Sequence, residues 1–377
     1  MSPVWLLADE TSTTPKIETT AAPKVTVEVV AAKLDHPSGV AVQPDSSDVL
    51  VSNTGAGEVV RFAGGKADAP STVIAGFAHS TSEPNDNPIA GVGPLGLVFL
   101  DPNILAVGAG EAKNGDQYIR IFELPKAAAD AKPIDLGGAK SKLGPTTVTG
   151  TTLAGAGNFY SLAVSEFAPP TLYATNRGPN ERGWVFKSDI RNRTAPSPLT
   201  PNINTKIENH TAAPSAVAVS PRGLLVVGNM GTLDQPHDSW LSFYNTKTEP
   251  VTLMAHYPTS LHDIVGLAYS PKSGALYAID FAAAHPADGG VYRLDAATID
   301  RRSGVKAVKI AAIDRPTALA FSPDNTLYVT SFGVAAESKS SDTKSTSETK
   351  STDETKPASE GTPVQTGGQL VKITGDL

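Results

Sequence analysis

Carboxylates placed beside imidazoles are the most reactive pairings in this chain: Asp35 precedes His36, and His262 precedes Asp263. A carboxylate neighbour can orient a histidine as a general base or as a metal ligand, so His36, His262 and Asp263 are the candidate catalytic groups. Both dipeptides stand at the head of apolar segments that begin alike, as do His210 and the pair Asp314 and Arg315. Asn53, Asn176, Asn229 and Asp280 end the second apolar run of their segments, with Glu111 in a similar place. Oxygen donors of this kind suit calcium or magnesium and imidazoles suit zinc, which makes Asp35, Asp263 and Asp280 the candidate metal ligands. Asn53, Asn176, Arg177, Asn229 and Arg315 are candidate ligand-binding groups. The loops TNRGPNERG and GNMGTLDQPHDS add Arg182, Asp234, His237 and Asp238. The plainer reading of the same residues is turn chemistry, because Asn and Asp bond their own backbone wherever a chain reverses.

These groups belong together only if something brings six distant segments to one place, and an internal repeat does so. HPSGVAVQPDSSDVLVSN from His36 is echoed by GPLGLVFLDPNILAVGAG from Gly93 and NFYSLAVSEFAPPTLYATN from Asn158. APSAVAVSPRGLLVVGN from Ala213, DIVGLAYSPKSGALYAID from Asp263 and RPTALAFSPDNTLYVTSFG from Arg315 complete the set. With Pro37, Pro94, Phe159, Pro214, Ile264 and Pro316 equivalent, the spacings are 57, 65, 55, 50 and 52 residues. Each copy holds two short alternating apolar runs around a turn rich in Pro, Asp, Asn, Ser and Gly, the pattern of a β-hairpin.

A third strand follows in every copy, from GEVVRFA at Gly57 to GQLVKIT at Gly368. Weaker fourth strands are expected at STVIAG from Ser71, TTVTGTTL from Thr146, TPNINTKIE from Thr200, PVTLMAHY from Pro250 and VKAVKIAAI from Val305. The last copy ends after its third strand, and KVTVEVVA from Lys24 is unassigned, so this N-terminal strand is expected to close the sixth sheet and remove two exposed edges. The expected fold is all-β: a six-bladed propeller of four-stranded antiparallel blades. Two residues past the anchors stand Gly39, Gly96, Ser161, Ala216, Gly266 and Ala318. All are small, as strands converging on an axis require.

The propeller is expected to span residues 24–377. Residues 1–23 read as a disordered tail or the remnant of a signal peptide, and 335–363, built from Ser, Thr, Lys, Glu and Asp, reads as a disordered loop. Export from the cytoplasm is the expectation, with a cytoplasmic location as the alternative. A net charge of -7 gives no basic surface for phosphates, which argues against nucleic acid as a partner. No run approaches the length of a membrane span. The absence of cysteine excludes disulfides and thiolate metal sites. No GxSxG, HExxH, P-loop or EF-hand pattern is present.

HPSGVAVQPDSSDVLVSNTGAGEVVRF and RPTALAFSPDNTLYVTSFG resemble the NHL repeat, from about His36 to Leu377. That resemblance implies a propeller, but not one activity, since related propellers bind, scaffold, cleave or hydrolyse. The chain is more distantly similar to regucalcin-like lactonases, which hold a metal by Glu, Asn and Asp at the axial mouth. Where they place Glu before Gly-Pro, this chain has Asp35-His36-Pro37. The expected function is non-enzymatic binding of a protein or carbohydrate through the loop-rich face, by a monomer. The alternative is a metal-dependent hydrolase or lyase at the axial mouth.

Overall fold

A computed structural model describes residues 23–67, 69–79, 87, 90–111, 117–125, 132–146, 157–176, 183–210, 213–299, 301–332 and 367–377. The expected tail, apart from Pro23, and the low-complexity loop lie outside these residues, as do Arg177 and Arg182.

The alternating runs form the first, second and third strands of every blade where the pattern places them. β1 (Val25–Leu34) precedes the first blade, made of β2 (Pro37–Val42), β3 (Val49–Asn53), β4 (Glu58–Phe62) and β5 (Ser71–Ile74). The second blade holds β6 (Gly93–Asp101), β7 (Ile104–Gly110), β8 (Ile119–Glu123) and β9 (Ser141–Leu143). The third holds β10 (Phe159–Ser165), β11 (Thr171–Asn176), β12 (Trp184–Asp189) and β13 (Thr200–Asn204), followed by a short helix, α1 (Thr205–Asn209). β14 (Pro214–Val219), β15 (Leu225–Asn229), β16 (Trp240–Asn245) and β17 (Thr252–Pro258) make the fourth. β18 (Ile264–Tyr269), β19 (Leu276–Asp280), β20 (Gly290–Ile299) and β21 (Arg302–Ala312) make the fifth. The sixth is β22 (Pro316–Phe321), β23 (Leu327–Ser331) and β24 (Gly368–Gly375), and its outer strand is β1, paired antiparallel with Val25 opposite Gly375 and Leu34 opposite Gly368. The chain is thus a six-bladed propeller closed by its N-terminal strand.

The strand paired with β8 at the outside of blade two is Ser141–Leu143, where Leu143 lies opposite Ile119 and is 4 % exposed. The expected run from Thr146 lies, beyond Thr146 itself, outside the described residues. Gly144, at φ +119°, turns the chain away immediately afterwards. The β20–β21 hairpin is also longer than the sequence pattern suggests, pairing as far as Ile299 and Arg302.

Apolar side chains gather between blades rather than in one central core. Leu105, Phe122 and Leu50 fill the seam of blades one and two, and Ile119, Phe159 and Phe186 that of two and three. Tyr173, Val217 and Tyr244 fill the next, and Leu241, Ile264 and Leu276 the seam of four and five. Tyr277, Phe281 and Leu327 join five to six, and Val49, Phe62 and Tyr328 join six to one.

The innermost strands approach so closely that side-chain volume is limiting. A Cβ on Gly39 would lie 1.9 Å from the Leu95 carbonyl oxygen of the next blade, and one on Gly96 2.4 Å from that of Tyr160. These are separations that no relaxed rotamer can relieve, because the obstacle is backbone. Gly39→Ala should therefore cost about 2 kcal/mol or more through overpacking. Urea unfolding monitored by tryptophan fluorescence measures it, and a cost below ~0.5 kcal/mol, the range of neutral surface changes, would contradict this packing.

Candidate functional site

In each blade the start of the first strand lies opposite the end of the second, as Pro37 does opposite Asn53 and Ile264 opposite Asp280. The six opening turns and six strand ends therefore share one face, as the repeat implies. Several of the polar residues there hold their own turn. Asn53 accepts from the Asp35 N–H at 2.7 Å through Oδ1 and donates to Glu58 through Nδ2 at 3.0 Å. Asn176 donates to the Gly157 carbonyl at 2.9 Å. Asp280 accepts from the His262 N–H at 3.0 Å and the Asp263 N–H at 2.7 Å. Asn229 is buried at the end of β15. These roles are the turn chemistry that the residue types allow.

The axial mouth is narrow. All six innermost strands line a cavity of about 60 Å³, among them Gly39, Gly96, Tyr160, Val217, Gly266 and Thr317. Tyr160, 5 % exposed, donates its hydroxyl hydrogen bond to the Thr317 carbonyl, from blade three to blade six on the opposite side of the ring. Burial pushes this phenol far above its ordinary pKa, so it stays a neutral donor. The sequence signal for the plug is positional: one residue past the anchors stand Ser38, Leu95, Tyr160, Ser215, Val265 and Thr317, and only one is aromatic.

The candidates nearest the mouth do not converge on one point. Asp35 is exposed, with Oδ1 2.7 Å from His36 Nδ1, and the His36 ring meets Phe332 edge-on at 5.5 Å. His36 and Arg315 occupy left-handed conformations, φ +50° and +44°, ahead of their prolines. Arg315 lies 3.9 Å from its neighbour Asp314. Glu111 lies 3.6 Å from Arg120 in blade two. Among the described residues no three His, Asp or Glu side chains are grouped to hold a metal ion. The side-chain oxygens of Asp280 and Asn53 each accept a backbone N–H.

Chemistry concentrates instead where blade four meets blade five. The His262 ring meets two other imidazoles, tilted against His237 with centroids 4.3 Å apart and stacked on His285 at 4.6 Å. It is 4 % exposed; Nε2 lies 3.3 Å from Asp288 Oδ2, and buried Nδ1 has no hydrogen-bond partner. His237 Nδ1 lies 2.8 Å from the Ser260 carbonyl oxygen. Asp263 accepts from the Ala283 N–H at 2.8 Å through Oδ2, while its buried Oδ1 has no partner. Asp238 accepts from the Thr232 N–H at 2.9 Å and likewise has one unpartnered buried oxygen.

Burial, then repulsion from Asp280 and Asp238, pushes the Asp263 carboxyl up to about 7, against the opposing pull of the Ala283 N–H. Burial also raises Asp280 and Asp238, with backbone N–H groups working against it. His262, Asp280 and Asp288 line a cleft of about 450 Å³ with His237, Tyr292 and the walls of the β20–β21 hairpin, where Ile299 is half exposed. His262, Asp263, Asp280, His237 and Asp238 were all legible as candidates. His285 and Asp288 were not singled out, although HPADGG from His285 occupies the same second-to-third-strand position as the loop holding His237.

No family model matches the chain, and neither does any curated protein. Its architecture is similar to solved structures over almost the whole chain. A gluconolactonase from Xanthomonas campestris is 12% identical, with 94% of this chain and 95% of that one covered and a TM-score of 0.53. A putative gluconolactonase is 13% identical over 93% and 92%, with a TM-score of 0.54. A luciferin-regenerating enzyme is 11% identical over 93% and 96%, with a TM-score of 0.56. These likenesses define the class by fold, a six-bladed propeller of the kind the distant resemblance implied.

The Asp263 shift sets a pH dependence. The folded chain keeps this proton at pH values where the unfolded chain, with an ordinary carboxyl near ~4, has released it. Its contribution to stability is therefore most favourable below about pH 4 and declines as pH rises toward 7, above which the whole cost of the buried charge is present. Asp263→Asn keeps an acceptor for Ala283 and carries no charge. It should raise the melting temperature at pH 8 and give no gain at pH 4; an equal effect at both would contradict the electrostatic account.

Proposed function

We infer that the chain is a recognition propeller that takes a group from a protein or carbohydrate ligand into the cleft between blades four and five. One contrast carries this reading. The axis is bridged by Tyr160 and holds only about 60 Å³, whereas the off-axis cleft is about 450 Å³ and combines ring faces, carboxylates and apolar wall. That combination is the usual make-up of a ligand pocket, with a few polar groups on a mainly apolar lining. Ile299, 50% exposed beside the cleft, is a large apolar side chain that a ligand would cover.

A second reading is metal-independent hydrolysis, and it rests on Asp263. A buried carboxyl titrating near 7 next to the largely buried imidazole of His262 is the type of pairing that acid–base catalysis uses. The likeness to gluconolactonase structures makes a lactone the substrate to try first.

Glycan and peptide arrays probed with the wild type and with Ile299→Lys separate the readings, together with glucono-1,5-lactone hydrolysis by the wild type and His262→Ala. Recognition predicts specific capture that Ile299→Lys weakens at least ~10-fold, with no enzyme-dependent hydrolysis. Capture that Ile299→Lys leaves unchanged would place the ligand elsewhere. Turnover of the lactone lost in His262→Ala would replace recognition with hydrolysis.

A further inference from the structure

The geometry points to an organic cation, an ammonium group carried on a short apolar body, as the group that the blade-four and blade-five cleft accepts. This rests on the recognition reading above and gives the ligand its charge.

Three separate features favour a positive group. The first is a carboxylate: Asp288, with a side chain 58% exposed, lines the cleft together with Asp280. The second is the aromatic ring of Tyr292, which lines the cleft and is of the kind that attracts a cation positioned over its face. The third is His262 itself. It lines the cleft, is 4 % exposed and has a buried Nδ1 without a partner. A buried polar atom left in this condition is costly unless something satisfies it, and a neutral imidazole nitrogen can accept from an ammonium N–H.

The protein supplies an internal precedent. The ammonium of Lys309 donates to the Ala287 carbonyl at 2.9 Å and sits 5.6 Å from the centroid of the Tyr292 ring. An alkylammonium group is thus already accommodated against the Tyr292 ring. Lys309 and Lys306 are the opposing charges; Lys306 is exposed on the hairpin wall, where water screens it. The hairpin wall, from Ile299 to Val305 and Ala307, gives the apolar body of the ligand its contact.

Isothermal titration with matched pairs of probes tests the charge alone. 3,3-Dimethylbutylamine, protonated at the pH used, is compared with its uncharged analogue 3,3-dimethyl-1-butanol, and glucosamine with N-acetylglucosamine, each against the wild type and Asp288→Asn at pH 7.5. At least one charged probe should bind at least tenfold more tightly than its neutral counterpart, and Asp288→Asn should remove most of that difference. The alkylamine pair and the sugar pair distinguish an alkylammonium from an amino sugar. If neutral probes bind as well as charged ones, or Asp288→Asn leaves the preference intact, the cation assignment fails while recognition at the cleft stands. If no probe of either kind binds and arrays capture nothing, both fail.

Discussion

The buried carbonyl groups of the innermost strands constrain everything else in this molecule. Blades pack face to face without sharing backbone ladders, so carbonyls near the axis need side-chain donors from another blade. Hydroxyls supply them. Thr54 donates to Pro94, Ser52 to Leu95, Ser215 to Ile264 and Thr317 to Pro37, each reaching the next blade. Tyr160 crosses the whole ring to Thr317. Each such bond contributes only about 1 kcal/mol net, but each carbonyl left bare would cost about 1–3 kcal/mol. Small residues at Gly39, Gly96 and Gly266 permit the approach, so the sterics and the hydrogen bonds are one requirement.

A ring closed in this way has little room for chemistry on its axis. Function moves outward to the opening turns, where the repeat needs a polar clamp at the end of each second strand. Blades one, three and four end theirs in Asn53, Asn176 and Asn229, whereas blade five ends in Asp280. The carboxylate satisfies two backbone N–H groups at once, but it also brings a charge into a place that already holds Asp263 and Asp238. Replacing an amide by a carboxylate thus turns a structural clamp into the centre of an electrostatic cluster. The raised Asp263 pKa comes first from burial, to which repulsion from Asp280 adds, and the rings of His237, His262 and His285 lie against one another nearby in the chain.

Much of this was legible in the sequence because repetition averages over local ambiguity. The six anchors located the first and second strands, and the surplus strand at Lys24 identified the closure, since an odd strand at one end and a missing one at the other have a single economical solution. The outer strand of blade two, Ser141–Leu143, was not legible, because three residues with one buried apolar side chain, Leu143, carry no alternating pattern to read. The polar face was legible as a ring, but not its focus. Which members meet depends on loop paths, and the HPADGG loop carries Asp288 to His262 without any spacing that announces it. Tyr160 was hidden for a different reason. Its neighbours in the alignment are small or aliphatic, and only the three-dimensional opposition of blades three and six gives its hydroxyl a partner.

Hydroxyl-radical footprinting of the folded protein tests most directly whether the axis is sealed and the cleft open. Ile299 and Tyr292, which line the cleft, should be oxidised readily, while Tyr160 should stay protected until the protein unfolds. Oxidation of Tyr160 in the native state as fast as that of Tyr292 would show an open axial mouth and contradict the account.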